Sequence, residues 1–493
     1  MYYPSLEEFR KKAQEANLIP VYREVIADME TPVSAFKKIE ERYSYLLESI
    51  EGGEKWARYS FLGSNPSLIF KSKGRNVEII RNNKTEVLES DAPIDILKGL
   101  LERYKTVEIE GLPRFSGGAV GYISYDMVKF FEDIPWKTKE SLDFYDMIFI
   151  FTDSILIFDN VTHKIKIVSN AHLEDGSDIE EAYKKAIVTI DSIISMLREP
   201  KLLPLIDPTE KQDNISDLQF NSNMQKEEYE KFVEKAKDYI KAGDIFQVVL
   251  AQRFNIPLSI SPFEVYRTLR VINPSPYMYY LKFDDLDIVG ASPEVLVRSA
   301  DDRVEVRPIA GTRPRGKDVK EDEKKAQELL ADKKECAEHI MLVDLGRNDI
   351  GRVCEYGSVK VSEMMHIEKY SHVMHIVTNV SGKLKKGSAS FDVFKACFPA
   401  GTVSGAPKVR AMEIIEELEP TSRGPYAGAI GYFSFSGNMD MCIAIRTIIF
   451  YKGVAYIEAG AGIVADSIPE QEYYETVNKA KAMMKAIYMA CNG

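Results

Sequence analysis

Residues 147–170 read MIFIFTDSILIFDNVTHKIKIVSN and contain three apolar segments that turn-forming residues separate. Segments of this length that are rich in Ile, Phe and Val and are bounded by Asp, Asn and Ser are typical of β-strands. Similar segments occur earlier, at 58–63, 67–74 and 77–82. Because short connections join antiparallel neighbours, the first half of the chain is predicted to form an antiparallel sheet with a few helices. The predicted class is α+β.

The second half of the chain interleaves helices with strands. Tyr229 and Val233 belong to a series of apolar residues at helical spacing, and Gly243 marks the end of that helix. The last helix is predicted to begin with a capping box formed by Ser467 and Glu470. Further strands are predicted at 245–254, 287–292, 303–311, 427–435, 442–451 and 454–464, and further helices at 320–345, 389–397, 406–418 and 468–490.

A polar segment separates the two halves. Residues 200–223 combine Pro, Asn, Asp and Ser without periodicity, which is typical of a linker. We therefore predict a domain boundary near residue 215. It divides a β-rich N-terminal domain (1–215) from a C-terminal domain (216–493).

Composition limits the partners and the compartment. The chain has 493 residues, 45% of them hydrophobic, and a net charge of −12 without a basic cluster, which argues against nucleic acid and anionic membrane surfaces. The five cysteines are scattered and lack metal-ligand spacing, so reduced thiols in a cytoplasmic protein are the simplest interpretation. The N-terminus has no apolar signal core, and no segment is long and apolar enough to cross a membrane. Small molecules and proteins are the expected partners.

Two predicted helices each carry a Glu-x-x-Glu pair, Glu335/Glu338 and Glu472/Glu475. Residues three apart share a helix face, so each pair can direct its carboxylates to one point. Four such groups would repel one another unless a hard cation neutralised them, and Mg²⁺ suits carboxylate oxygens. The alternative is two solvated acidic faces, with Glu475 in a surface ion pair with Lys479.

Two glycine-rich segments are predicted as loops, at 399–408 and 458–467. Neither fits a nucleotide-binding motif. Glycines beside Thr402, or the backbone of Gly460, Ala461 and Gly462, can bring N–H groups close to a carboxylate. Ordinary turns are the alternative.

Arg446 lies in the apolar segment CIAIRTIIF, where a guanidinium group needs an anionic partner, either a substrate carboxylate or an internal salt bridge. Four of the six histidines lie between His339 and His375. A single titrating histidine near the carboxylates suits proton transfer, and the remaining histidines are interpreted as structural.

Several segments together resemble the chorismate-utilising enzymes, from about Gly243 to the C-terminus. They are GDIFQVVLAQR (243–253), GASPEVLVR (290–298), RPIAGTRPRG (307–316), KKECAEHIMLVDLGRNDIGRV (333–353), FPAGTVSGAPK (398–408), GPYAGAIGY (424–432) and IPEQEYYETVNKA (468–480). The resemblance implies two antiparallel β-sheets packed in a sandwich-like core with helices on the outside.

Within this family the chain is most similar to the anthranilate synthase component I branch. YLLES (45–49) and NPSPYM (273–278) resemble the tryptophan feedback pocket of that branch. The resemblance implies that Leu47, Ser49, Pro276, Tyr277 and Met278 contact the inhibitor tryptophan, although Leu47 and Ser49 can also simply pack a strand turn.

Two positions bear on the alternatives inside the family. Isochorismate-type enzymes carry a lysine base where Gln247 stands, and because glutamine cannot take a proton, the nucleophile is expected to be ammonia. Aminodeoxychorismate synthases typically carry a nucleophilic lysine where Ala310 stands. Some lack it, so aminodeoxychorismate synthase component I remains the alternative, and a non-catalytic tryptophan-binding regulator is a further one.

The resemblance also implies roles for the site residues. Glu294 is the expected general acid, His375 assists the elimination of pyruvate, and Gln247 and Thr402 are further catalytic candidates. Mg²⁺ is held by Glu338 and Glu475, with Glu335 and Glu472 reaching it directly or through water. Substrate binding is implied for Gly311, Thr312, Tyr426, Arg446, Gly460, Ala461, Gly462 and Lys479.

The implied reaction converts chorismate and ammonia to anthranilate and pyruvate, as the first step of tryptophan biosynthesis. No glutaminase apparatus is present in the sequence. The resemblance therefore implies a separate glutamine amidotransferase subunit as the source of ammonia, in a heterotetramer with two copies of each subunit.

Overall fold

The computed structural model describes residues 1–50, 58–135, 142–174, 176–201, 205–206, 218–370 and 373–492. The predicted domain boundary near residue 215 lies outside the described residues.

The first half of the chain forms mainly strands. The six strand segments predicted between residues 58 and 170 are all confirmed as strands. Its helices are α1 (Leu6–Lys12), α2 (Pro32–Ile39), α3 (Pro93–Leu101) and α4 (Ile179–Arg198). Its strands are β1 (Leu18–Ile26), β2 (Tyr43–Glu48), β3 (Tyr59–Ser64), β4 (Leu68–Lys73), β5 (Asn76–Arg81), β6 (Lys84–Glu89), β7 (Gly118–Ile123), β8 (Met147–Thr152), β9 (Ser154–Asp159) and β10 (Lys164–His172).

The second half contains longer helices between its strands. Its helices are α5 (Lys226–Ala242), α6 (Pro262–Ile272), α7 (Val319–Ala331), α8 (Lys333–Gly351), α9 (Ser390–Cys397), α10 (Lys408–Leu418) and α11 (Pro469–Asn492). Its strands are β11 (Asn221–Ser222), β12 (Gln247–Pro257), β13 (Tyr277–Phe283), β14 (Leu286–Ser292), β15 (Val295–Ala300), β16 (Arg303–Val306), β17 (Ile309–Pro314), β18 (Lys360–Lys369), β19 (Val373–Lys383), β20 (Gly405–Ala406), β21 (Ala429–Ser434), β22 (Met439–Ile443), β23 (Thr447–Tyr451) and β24 (Val454–Ile463).

The described strands form two antiparallel sheets of twelve strands each. The first sheet has the order β1-β10-β9-β3-β2-β13-β14-β23-β24-β12-β11, with β20 also paired to β12. The second has the order β17-β19-β16-β15-β22-β21-β7-β8-β4-β5-β6, with β18 also paired to β19. Both halves of the chain contribute to each sheet, because β2 pairs with β13 and β7 pairs with β21.

The two sheets pack face to face, and helices cover them. Val120, Tyr122, Ile148 and Ile150 of the second sheet share one apolar core with residues of the first. Across this core the Tyr45 hydroxyl lies 3.2 Å from Thr152 Oγ1. The predicted α+β class with two antiparallel sheets is confirmed. The described part of the chain contains no helix with the length and apolar character needed to span a membrane.

The chain crosses from one sheet to the other at two neighbouring places. β14 ends in the first sheet and β15 begins in the second after Pro293 and Glu294, and β22 and β23 are separated in the same way around Arg446. Backbone hydrogen bonds join the crossings, since Ile443 N donates to Glu294 O (3.0 Å) and Ala291 N donates to Arg446 O (3.1 Å). The single strand predicted at 442–451 is therefore wrong. Arg446 has a φ of 53°, which breaks the extended backbone.

Other helix and loop boundaries also differ from the predictions. The single helix predicted at 320–345 is wrong, because it is divided into α7 and α8 at Asp332, whose side chain caps α8, and α8 continues through Gly346 to Gly351. The single strand predicted at 303–311 is likewise wrong, because it is divided into β16 and β17. The capping box is wrong, because the Ser467 hydroxyl accepts a bond from Val464 N and Glu470 binds Lys226 instead. The first part of the predicted loop at 458–467 belongs to β24, since small residues fit closely between neighbouring strands.

Candidate active site

A cavity opens beside the two crossings between the sheets. It contains about 1000 Å³ of space, part of which is open to solvent. Most of the predicted catalytic and substrate-binding residues meet here although they come from distant parts of the chain. The predicted residues that line it are Gln247, Glu294, Thr312, Glu338, His375, Thr402, Tyr426, Arg446, Gly460 and Lys479.

Glu294 lies at the first crossing, with its side chain in the cavity. Burial raises the pKa of this carboxyl to about 8, while the Thr402 hydroxyl and the Lys479 ammonium group oppose the rise. A carboxyl group that is removed from water favours its neutral form. Glu294 therefore carries a proton at neutral pH and can donate it.

Arg446 and Lys479 place two cations in the wall of the same cavity. Arg446 Nη1 donates to the Lys479 carbonyl oxygen (3.2 Å), and no carboxylate of the described residues forms a salt bridge with this guanidinium group. Burial lowers its pKa. The sequence left two partners open for Arg446, a substrate carboxylate or an internal salt bridge. Because no such salt bridge is present among the described residues, the guanidinium group is available to an anionic ligand.

Three further residues, Gly460, Glu475 and Tyr426, lie close to these two cations. Lys479 Nζ donates to the Gly460 carbonyl oxygen (2.9 Å) and also lies 2.8 Å from Glu475 Oε1. A methyl group on Gly460 would lie 2.9 Å from the Tyr426 hydroxyl oxygen. Glycine at this position therefore leaves the space that a ligand needs beside Tyr426.

Two buried polar atoms point to a ligand in this cavity. Gln247 Oε1 and Thr402 Oγ1 are buried, and neither has a hydrogen-bond partner of ordinary geometry among the described residues, although Thr402 is close enough to Glu294 to affect its pKa. Buried polar atoms are normally paired, so unpaired ones at a cavity wall are available to a bound molecule. A methyl group on Gly462 would lie 2.4 Å from Gln247 Nε2, so this glycine makes room for the Gln247 side chain.

His375 has a defined tautomer. Its Nδ1 lies 2.9 Å from the carbonyl oxygen of Gly311, which can only accept a hydrogen bond, and 3.1 Å from Thr312 Oγ1. Nδ1 therefore carries the proton and Nε2 keeps its lone pair. Burial lowers the pKa of His375, which favours the neutral ring.

The other described histidines do not line this cavity. His339 is buried with Nε2 2.6 Å from Thr378 Oγ1, and His366 lies beside Glu368. Their structural interpretation agrees with these contacts. His372 lies outside the described residues.

The four predicted metal ligands lie on α8 and α11, as the sequence predicted. Glu338 faces the cavity, whereas Glu335 accepts a bond from Arg313 Nη1 (3.2 Å). Burial raises the pKa of Glu338 and of Glu472, and the second carboxylate of each pair, Glu335 or Glu475, contributes to the rise.

This donor set fits Mg²⁺ in its chemistry. Among the described residues, no three His, Cys, Asp or Glu side chains are grouped closely enough to hold a metal ion by themselves. However, carboxylate oxygens are the ligands that Mg²⁺ prefers, and Mg²⁺ usually keeps waters and anionic substrate groups in its coordination shell. A cation would also relieve the repulsion that raises the pKa values within the two pairs.

One ionisable residue of the cavity wall was missed by the sequence analysis. Glu458 lines the cavity two residues before Gly460, and its carboxylate binds Arg253. It was overlooked because only the glycine backbone of 458–467 was considered as a site, although a strand was also predicted at 454–464. Strand alternation would have placed Glu458 on the same face as Gly460 and Gly462. Ala461, by contrast, is buried in the apolar core, so only its backbone is available to a ligand.

The family model of the chorismate binding enzymes matches residues 45–485 of the chain. The chain belongs to this family.

Relatives of this chorismate-binding enzyme match it over nearly its whole length. Anthranilate synthase component 1 of Acetivibrio thermocellus is 51% identical and covers 99% of both chains, and that of Aquifex aeolicus is 50% identical over 99% of this chain and 98% of its own. The crystal structure of anthranilate synthase component I from Streptococcus pneumoniae TIGR4 is 40% identical, covers 93% of this chain and 99% of its own, and has a TM-score of 0.76. The family resemblance seen in the sequence is confirmed.

A second cavity of this chorismate-binding enzyme lies between the two sheets. It contains about 640 Å³ of space, and β2 and β13 of one sheet and β15, β21 and β22 of the other supply its walls. All five residues predicted to contact tryptophan line it: Leu47, Ser49, Pro276, Tyr277 and Met278.

The polar wall of the second cavity is built around Asp440. Its carboxylate accepts bonds from the Tyr277 hydroxyl (2.8 Å) and from Arg298 Nε (2.9 Å). Glu48 also lines the cavity, and its carboxylate accepts bonds from two residues of α6 outside the lining, Arg270 (2.9 and 3.0 Å) and the Tyr266 hydroxyl. The cavity thus combines apolar and aromatic surface with ordered charged groups, which suits an amphipathic small molecule.

Proposed function

We propose that this enzyme is the aminating and pyruvate-eliminating component of anthranilate synthase, which converts chorismate and ammonia to anthranilate and pyruvate. The observation that carries the proposal is the single cavity in which a protonated Glu294 faces the cations Arg446 and Lys479. Chorismate carries two carboxylates and a ring hydroxyl, and these are the groups that such a cavity can bind and protonate. The named relatives of about 50% identity support the same reaction.

Substrate binding begins at the anion subsite, which consists of Arg446, Tyr426, Lys479 and the backbone around Gly460. Arg446 donates to the enolpyruvyl carboxylate together with the Tyr426 hydroxyl, and Lys479 and the backbone around Gly460 complete the contacts. The guanidinium group gains a charged partner that it lacks among the described residues. Binding in this orientation directs the ring toward Glu294.

Amination follows as a proton transfer coupled to nucleophilic attack. Glu294 donates its proton to the C4 hydroxyl group, which leaves as water while ammonia attacks C2. Its raised pKa keeps the proton available at neutral pH. Gln247 can hold the ammonia by hydrogen bonds through its unpaired Oε1, but it cannot deprotonate a water molecule.

Elimination of pyruvate needs a base. The neutral imidazole of His375 presents Nε2 for this purpose, because Nδ1 is held by Gly311 O. Loss of the C2 proton to His375 and cleavage of the C3–O bond then give the aromatic ring and enolpyruvate, which takes up a proton to become pyruvate. The Thr312 hydroxyl, 3.1 Å from Nδ1, helps to fix the ring orientation.

Mg²⁺ is the proposed cofactor, held by Glu338 and Glu475 with help from Glu335 and Glu472. When bound, it would neutralise the ring carboxylate of the substrate and these acids. Without it, the acids of α8 and α11 would repel the dianionic substrate.

Tryptophan is the proposed inhibitor, bound in the second cavity. The indole would pack between the sheets against Met278 and Leu47, and the carboxylate and ammonium groups would meet the charged wall near Arg298 and Glu48. Neighbouring strands connect the two cavities. Tyr277 of the second cavity pairs with Ser292, which lies two residues before Glu294 of the first cavity.

A glutamine amidotransferase subunit is the proposed source of ammonia, since the relatives are named as component 1 of their enzyme. An assembly of two copies of each subunit in the cytoplasm is part of this proposal.

Aminodeoxychorismate synthase is the second candidate because it uses the same substrate and nucleophile. Against it stands Ala310, which lines the cavity and cannot form a covalent adduct with the ring.

The proposal is tested with the purified chain, chorismate, Mg²⁺ and ammonium, with the products separated by chromatography. Anthranilate and pyruvate in equal amounts support it. Accumulation of 4-amino-4-deoxychorismate would move the chain to the second candidate, and unchanged chorismate would refute both.

A further inference from the structure

Glu458 is a carboxyl group of the cavity wall to which the proposed mechanism gives no role. It lies on β24 directly opposite Arg253 of β12, and its Oε2 accepts a bond from Arg253 Nε (2.9 Å). This is the one hydrogen bond that its side chain makes with the described residues. Because alternate residues of a strand share a face, Glu458 shares the face of Gly460. Its second oxygen is therefore available on the cavity side.

The charged groups around Glu458 are paired with one another among the described residues. Arg423 is committed to Glu419, which it binds through both Nε and Nη2. Arg253 divides its donors between Glu458 and the carbonyl oxygen of Ser422. Two carboxylates and two guanidinium groups thus balance, and a further anion near Glu458 meets no spare positive charge on this side of the cavity.

The subsite for a substrate carboxylate begins two residues farther along the strand. Glu458 is close enough to Tyr426 to contribute to the raised pKa of that phenol, and Tyr426 lies against Gly460. Arg446 and Lys479 line the same cavity. A carboxylate held by these groups therefore lies near Glu458 as well as near its own cations.

Glu458 changes charge in the physiological range. Burial raises its pKa to about 7, with Glu419 adding to the rise and Arg253 and Arg423 opposing it. The neutral carboxyl can donate a hydrogen bond to an anion, whereas the ionised form can only repel it.

We propose that Glu458 sets the affinity of the cavity for its dianionic substrate, binding the substrate carboxylate as a neutral donor and repelling it once ionised. The inference rests on the proposed function, because that function makes the substrate a dicarboxylate. The proposal makes Glu458 a specificity-determining residue. It also makes substrate affinity depend on the ionisation of Glu458, in addition to any effect of the ionisation of Glu294.

The test is the dissociation constant of chorismate, measured by calorimetry with Mg²⁺ and without ammonium, so that no turnover occurs. For the natural chain the constant should rise by about tenfold between pH 6 and pH 8.5. Glu458→Gln keeps an acceptor for Arg253 and cannot ionise. Its dissociation constant should match that of the natural chain at pH 6 and rise clearly less by pH 8.5, because only Glu294, with a pKa raised to about 8, then still gains charge in the cavity.

Two further variants keep the result interpretable. Glu470→Gln removes an exposed acid that pairs with Lys226 outside the cavity, and it should keep the natural pH profile. Arg253→Gln removes a group that lowers the pKa of Glu458, so it should move the loss of affinity to higher pH and serves if Glu458→Gln does not fold.

Superimposed profiles of the natural chain and Glu458→Gln would overturn the proposal. The proposed function is tested separately by assaying the same preparation for conversion of chorismate to anthranilate. If the natural chain makes anthranilate and the profiles coincide, only the role of Glu458 fails. If chorismate is neither bound nor converted, the proposed function fails as well.

Discussion

Glu294 illustrates how position in the chain creates reactivity. It stands in the short connection between β14 and β15, where its backbone is bound by Ile443 N while its side chain enters the cavity. No local pattern in SPE distinguishes it from a surface acid. Its raised pKa comes from burial, which depends on both sheets.

Glu294→Gln should change the pH dependence of stability. A carboxyl group whose pKa is higher in the folded chain than in the unfolded chain contributes fully to stability below its unfolded pKa. That contribution is lost as the pH rises through the folded pKa. For Glu294 the loss falls between about pH 4.5 and about pH 8. The variant lacks this loss. Melting temperatures should therefore show the natural chain falling relative to Glu294→Gln from pH 5 to pH 8.5, and a constant difference would contradict the assigned burial.

His375→Gln should separate the two chemical steps. Glutamine can still donate to Gly311 O but cannot act as a base, so the elimination rate should fall by about 10²–10⁴-fold. Chromatography should then show an aminated, non-aromatic intermediate. His366→Gln, outside the cavity, is the matched control and should behave as the natural chain does. Equal loss of both steps in His375→Gln would argue against its role as the second base.

At the scale of elements, most helices were predictable, but the break at Asp332 between α7 and α8 and the break around Arg446 between β22 and β23 were not. Apolar residues recur at helical spacing in α5 and α11, so their positions follow from local sequence. The segment 442–451 is apolar on both sides of Arg446 and Thr447, and its pattern predicts one continuous strand rather than the separate β22 and β23. That division depends on which neighbouring strands are available, and those strands come from distant parts of the chain.

The helices α8 and α11 carry the proposed metal ligands, and Glu338→Gln tests them. Calorimetric titration should show at least tenfold weaker Mg²⁺ binding in the variant, because a neutral amide replaces a charged ligand. In the absence of metal, the variant should melt at the same or a higher temperature above pH 4.5, because burial and Glu335 raise the pKa of Glu338.

Glu328→Gln on α7 is the control for that experiment, since Glu328 is exposed and lies 3.7 Å from Lys324. It should bind Mg²⁺ as the natural chain does. Unchanged Mg²⁺ affinity in Glu338→Gln would remove this residue from the proposed metal site.

At the scale of the whole molecule, each sheet joins strands from both halves of the chain. The pairings β2–β13 and β7–β21 connect residues that are hundreds of positions apart. Periodicity predicted the individual strands, but the partner of each strand depends on long-range packing that one sequence does not display. The resemblance to a known family supplied the two-sheet arrangement and gathered the site residues.

The second cavity lies where the two sheets and both halves meet, so Ser49→Phe tests its regulatory role. A phenylalanine side chain would fill space beside Tyr277 and Met278. Inhibition by tryptophan should weaken at least tenfold while the rate without tryptophan is kept. Thr85→Phe on exposed β6 is the control and should remain inhibited. Full inhibition of Ser49→Phe would place the regulatory site elsewhere.

The most direct test of the central claim uses ¹⁵N-labelled ammonium with chorismate and Mg²⁺ and no glutamine, followed by mass spectrometry of the products. The natural chain should form ¹⁵N-labelled anthranilate and an equal amount of pyruvate, and Glu294→Gln should form about 10²–10⁴-fold less. A product without nitrogen, formed by addition of water, would contradict the account.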